Sequence, residues 1–75
     1  MAIILDVSGQ ACPIPLVKAR RAMDKMQPGE ILEVIVTDED SKVNITMAVK
    51  ELNMDLKRIT QDNTGRWHIT IRKKP

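Results

Sequence analysis

Ile3-Ile4-Leu5-Asp6-Val7-Ser8-Gly9-Gln10-Ala11-Cys12-Pro13-Ile14-Pro15-Leu16 carries the chain from one kind of local order to another. The run Ile3–Val7 is short, apolar and rich in branched side chains, and Ser8-Gly9 closes it, which predicts a strand followed by a turn. Beyond the turn, Pro13 and Pro15 suit the first turn of a helix, where the missing N–H groups have no intrahelical partner. A helix is therefore predicted from Pro13, with Cys12 as its N-cap residue. From there to Met26, apolar residues recur at Leu16, Ala19, Met23 and Met26, while Lys18, Arg20, Arg21, Asp24 and Lys25 take the opposite face. The helix is amphipathic and must cover something flat.

That flat partner is supplied downstream. Gln27-Pro28-Gly29-Glu30 ends the helix with turn chemistry, and Ile31–Val36 reads as a second strand with Leu32, Val34 and Val36 on the core face. Asp38-Glu39-Asp40-Ser41 offers N-cap oxygens and acidic charge to a second helix from about Lys42 to Asn53. Its apolar side is broad, with Val43, Ile45, Met47, Ala48, Val49 and Leu52, and Asn53 is suited to a left-handed cap. Asp55–Thr60 is a weaker strand, Gln61-Asp62-Asn63-Thr64-Gly65 a hairpin loop, and Arg66–Arg72 an alternating strand with Trp67, Ile69 and Ile71 on one face. The order β-α-β-α-β-β predicts a two-layer α/β sandwich, in which a mixed four-stranded sheet carries two helices on one face.

Size and composition limit the chemistry. A chain of 75 residues is expected to form a single domain, 1–75, burying about 60–65% of its unfolded surface. Such a core leaves no room for a deep catalytic cavity, so chemistry belongs at the surface. One cysteine permits no internal disulfide, and one cysteine with one histidine falls short of a zinc site, so no metal or cofactor is expected. Met23, Met26, Met47 and Met54 read as core filling. With 12 basic and 10 acidic side chains, a net charge of +2, one tryptophan and neither tyrosine nor phenylalanine, no direct nucleic-acid binding is expected. The opening residues lack a secretory pattern and no stretch nears the ~20 apolar residues of a membrane span, so the expectation is a cytoplasmic protein with no membrane partner.

Cys12 is the candidate reactive group. A helix start carries unpaired N–H groups and a partial positive charge, which favour thiolate over thiol, and the thiolate is the form that attacks sulfur. Pro15 supplies no capping donor, which leaves the Ile14 N–H near the sulfur. Lys18, Arg20, Arg21 and Lys25 on the same helix are candidates for docking acidic partners. His68 reads as an outward strand residue and Trp67 as a core anchor. A one-cysteine peroxidase or reductase would lack a resolving thiol.

The pattern Leu5-Asp6-x-x-Gly9-x-x-Cys12-Pro13-x-Pro15, with Met26-Gln27-Pro28-Gly29-Glu30 before the second strand and Ile69-Thr70-Ile71-Arg72-Lys73 at the end, resembles the TusA family of small sulfur carriers, also known as SirA-like or CPxP proteins. The resemblance covers essentially the whole chain. It implies that Cys12 takes a sulfane sulfur as a persulfide from a cysteine desulfurase or rhodanese-like donor. It further implies delivery to a DsrE-like or other acceptor, in tRNA thiolation, sulfur oxidation or cofactor supply, with Asp6, Gly9, Pro13 and Pro15 as the supporting motif. The chain departs from that pattern in Asp38-Glu39-Asp40, where the family often has Asp-Asp-Pro. It also has Asn44-Ile45 for an Asp-Ile pair, and Leu52-Asn53-Met54 where a glycine is common. A competing function is a non-catalytic regulatory module that binds protein or nucleic acid through the open sheet face. Its fold resembles the C-terminal domain of a bacterial initiation factor.

Overall fold

In a computed structural model that describes residues 2–74, these residues form β1 (Ala2–Asp6), α1 (Ile14–Lys25), β2 (Ile31–Val36), α2 (Glu39–Glu51), β3 (Asp55–Gln61) and β4 (Trp67–Arg72). The sheet order is β1-β2-β4-β3. β1 and β2 are parallel, with Leu5 opposite Val34, whereas β4 is antiparallel to both β2 and β3. Both strand-helix-strand crossovers thus keep their strands parallel in direction. The closing hairpin places β4 between β2 and β3, so the second crossover skips one position.

Alternation along the strands decides which side is dry. Leu32, Val34 and Val36 of β2 and Ile69 and Ile71 of β4 are fully buried, and they meet Ala19 and Met23 of α1 and Ile45, Ala48 and Val49 of α2. This is the expected core face. Trp67 is half-buried and packs against this core, with Lys42 Nζ 4.1 Å from the ring centroid in a cation–π contact.

The helix ends differ in detail from expectation. α2 starts at Glu39 rather than Lys42, because Asp38 is its cap and accepts a hydrogen bond from the Asp40 N–H. This draws the acidic residues into the first turn, where the helix dipole favours them. At its other end Asn53 takes the left-handed conformation at φ 57°. The Asn53 N–H reaches the Lys50 carbonyl at 3.1 Å and the Met54 N–H the Val49 carbonyl at 3.0 Å, the pair of bonds that ends a helix in a Schellman motif. Met23 and Met26 are core residues and Met54 packs against them, but Met47 is more than half exposed. The expectation of four core methionines fails at Met47 because Ile45, Ala48 and Val49 already fill the inward side of α2.

Candidate functional site

Cys12 lies in the segment joining β1 to α1, at the carboxyl end of the parallel pair of strands. Two local devices shape that segment. Asp6, the last residue of β1, accepts hydrogen bonds from the Ser8 N–H at 2.9 Å and the Ser8 hydroxyl at 2.6 Å, and these hold its carboxyl below the usual carboxylate range. The Gln10 N–H then meets the Val7 carbonyl at 3.3 Å, closing a turn whose third residue, Gly9, has φ +79°. That conformation disfavours any residue with a Cβ. The Gly9 N–H donates to Thr37 Oγ1 at 3.0 Å, tying this loop to the one that follows β2.

The helix begins one residue later than the sequence suggested. The Val17 N–H bonds the Pro13 carbonyl at 3.0 Å, so the first intrahelical acceptor belongs to Pro13, and Pro13 is the N-cap, with no side-chain capping bond. Cys12 therefore stands just outside the helix, exposed, and its peptide bond to Pro13 is cis. The Ile14 N–H, expected near the sulfur, donates instead to the Ala11 carbonyl at 3.0 Å. Pro15 turns inward and is buried against the core. It anchors the tip of α1 rather than shaping the surface around the thiol.

The sulfur finds its donor on the other helix. Asn44 Nδ2 lies 3.3 Å from Cys12 Sγ, a contact between residues 32 positions apart that no local pattern announces. Arg20 Nη1 meets Glu51 Oε2 at 3.3 Å further along, so α1 and α2 run side by side in the same direction with the thiol at their common N-terminal end. The four cations split accordingly. Arg20 faces α2, whereas Lys18, Arg21 and Lys25 line an open groove of about 350 Å³ between α1 and β1, floored by Ile3, Leu5 and Ala22.

Apolar side chains are exposed on both helices: Ile14 at 48% and Val17 at 44% on α1, Val43 at 46% and Met47 at 55% on α2. Val43 and Met47 flank Asn44 in sequence and one turn on. Sequence patterning assigned Val43 and Met47 to the apolar side of α2 because periodicity reports a broad apolar arc without saying which part of it meets the sheet.

His68 is remote in role as well as in sequence. Its Nδ1 lies 2.9 Å from Glu33 Oε2 and its Nε2 2.7 Å from Asp62 Oδ2, on the sheet face that the helices leave bare. Two carboxylates on the two ring nitrogens suit the imidazolium, which donates from both. The bond to Asp62, then that to Glu33, raise the His68 pKa above its ordinary value. Asp62 is held below the carboxylate range, first by the Thr64 hydroxyl and then by His68. Among the described residues no group of three potential ligands is placed to hold a metal ion, and no helix is long and apolar enough to cross a membrane.

Fold and site together define a small α/β protein that presents one unpaired thiol at a helix tip. A family model described as sulfurtransferase TusA matches residues 3–73, and the chain belongs to that family. It is 41% identical over 70 residues to a Thermotoga maritima protein named as a candidate sulfur carrier, covering 93% of this chain and 89% of that one. It is 32% identical over 69 residues to the sulfur carrier protein TusA of Allochromatium vinosum, covering 92% and 90%. The crystal structure of a SirA-like protein from Desulfitobacterium hafniense superposes with a TM-score of 0.85 over 100% of both chains at 24% identity, which supports the fold.

Proposed function

We propose that this protein is a sulfur carrier whose Cys12 holds the travelling atom as a persulfide. The observation that carries this reading is an exposed cysteine at the tip of α1 with an amide N–H on its sulfur, within a family whose relatives bear the sulfur-carrier name. In the loading step the Cys12 thiolate attacks the outer sulfur of a donor persulfide. A bond forms from Sγ to that sulfur, the donor's S–S bond breaks, and the donor cysteine leaves as a thiolate with the bonding pair. In the unloading step an acceptor thiolate attacks the same outer sulfur, and Cys12 leaves as a thiolate. The sulfane sulfur moves without net oxidation or reduction, so neither cofactor nor metal enters the chemistry. Asp6 and Gly9 set the loop that presents the thiol, and Pro13 and Pro15 fix the helix tip beside it.

Docking supplies the specificity that one thiol cannot. The exposed Ile14, Val17, Val43 and Met47 of the two helices form an apolar apron for the protein that brings or takes the sulfur. Lys18 and Arg21, with Lys25 at the far end of α1, line the neighbouring groove with positive charge that steers an acidic surface. A cysteine desulfurase or rhodanese-like protein fits the donor role, and a DsrE-like protein or another thiol-bearing protein the acceptor role. The destination is tRNA thiolation, sulfur oxidation or cofactor synthesis, in the cytoplasm.

The test is to incubate the protein with a cysteine desulfurase and cysteine and to weigh it intact. A gain of about 32 Da, one sulfur atom, that Cys12→Ser abolishes is expected. Failure of the parent protein to gain mass, together with salt-dependent RNA or DNA binding that survives Cys12→Ser, would replace this reading with that of a binding module on the open sheet face.

A further inference from the structure

We infer that Asn44 is a positioning residue that biases Cys12 toward releasing its sulfur. The inference rests on the persulfide reading above and deepens it. Its basis is the 3.3 Å contact from Asn44 Nδ2 to Cys12 Sγ, together with the retreat of the local donors: Pro15 has no N–H and the Ile14 N–H is spent on the Ala11 carbonyl. A thiolate can only accept hydrogen bonds, and one from a neutral amide lowers its energy without adding charge.

Charged groups stand on each element that meets near Cys12, yet among the described residues none is bonded to its sulfur. Asp40 stands one turn before Asn44 on α2, behind the capping Asp38 and next to Glu39. Asp6, at the end of β1, is turned to Ser8. On α1, Arg20 is paired with Glu51, and Lys18, Arg21 and Lys25 line the groove toward β1. The Asn44 amide is hydrogen-bonded to Sγ. A carboxylate at position 44 would set a negative charge against the thiolate.

The two halves of the relay respond in opposite senses. Sγ is a thiolate before loading and again after unloading, whereas in the persulfide it is the bonded inner sulfur. Stabilising the thiolate makes Cys12 a better leaving group, so unloading is faster. It also makes each thiolate a weaker nucleophile, by a Brønsted slope of about 0.4–0.5, while raising the fraction present near neutral pH. Asn44 thus favours delivery over retention.

The test compares the parent protein with Asn44→Ala and Asn44→Asp, and folding of each is checked by circular dichroism. Alkylation by iodoacetamide, a neutral probe, is followed against pH. The profile is expected to move toward higher pH in Asn44→Ala and further still in Asn44→Asp. The plateau rate above the midpoint is expected to rise with it, by about threefold for a full unit. Each protein is then loaded with polysulfide and discharged with cyanide, which takes the outer sulfur as thiocyanate and frees the Cys12 thiolate. Discharge of Asn44→Ala is expected to be about twofold slower. A loosened loop would not raise the alkylation plateau while slowing cyanolysis. Coincident midpoints, plateaus and discharge rates across folded variants that still load sulfur overturn the inference and leave the carrier reading intact. Failure of the parent to load sulfur overturns the carrier reading instead, and the alkylation arm, which needs no loaded sulfur, still decides whether Asn44 acts on the thiolate.

Discussion

At the scale of single residues, two of the four positive-φ positions among the described residues bear on the thiol loop and its neighbouring helix. Gly9 sets the loop before the thiol, and Asn53 ends α2. An asparagine tolerates φ near +57° better than other residues with a Cβ because its short amide compensates locally. Asn53→Ala is expected to lower unfolding free energy by about 1 kcal/mol, and Asn53→Gly to be neutral or slightly stabilising, as read by urea denaturation. Equal losses from both would mean that the side chain's contact with Lys74 Nζ at 3.3 Å, and not backbone conformation, is what the position supplies. Asn53 was readable from sequence because a cap is local. The partnership of Asn44 with Cys12 was not, since it joins two helices whose relative placement depends on the sheet between them.

At the scale of elements, β2, β4 and the hairpin loop are laced together by His68. Its pKa is raised in the folded protein, so this contribution to stability is fully present below the unfolded value of about 6.5. It fades as pH rises through the higher folded value. Asp62, whose pKa is lowered, works in the other sense. Its contribution is present above about 4 and fades as pH falls through its folded value. The parent protein should therefore be most stable between about pH 4 and 6.5 with respect to this triad, and His68→Gln should remove the decline above that window. Thermal midpoints measured from pH 4 to 9 check this, and parallel curves for the two proteins would refute it. Alternation already assigned His68 to the outer face. Its two carboxylate partners were not visible, because Glu33 lies on a strand that pairs with β4 and Asp62 reaches back from the loop.

At the scale of the whole molecule, the core is thin and every large buried side chain counts. Ile69 is fully buried between β2, β3 and the helices. Ile69→Ala is expected to cost about 2–5 kcal/mol, a large share of the stability of a chain with about 0.05–0.15 kcal/mol per residue. A loss below about 1 kcal/mol in chemical denaturation would show that the two layers collapse around the gap. The charged flank of α1 acts at the same scale. Reversing Lys18 and Arg21 to Glu should slow sulfur loading from a cysteine desulfurase roughly tenfold at low salt and flatten its salt dependence. Loading from polysulfide should persist, which separates docking from thiol chemistry.

The sequence by itself determined the element order, the core faces of β2 and β4, the exposed cysteine at a strand-to-helix junction and the cap at Asn53. Those features follow from periodicity of 2 and 3.6 and from turn chemistry acting over a few residues. Tertiary structure alone decided that β4 sits between β2 and β3, that Pro13 rather than Cys12 caps α1, that Val43 and Met47 point outward, and that Asn44 reaches the sulfur. Each of these depends on how the helices seat on the sheet, a packing balance summed over distant contacts that local spacing does not encode.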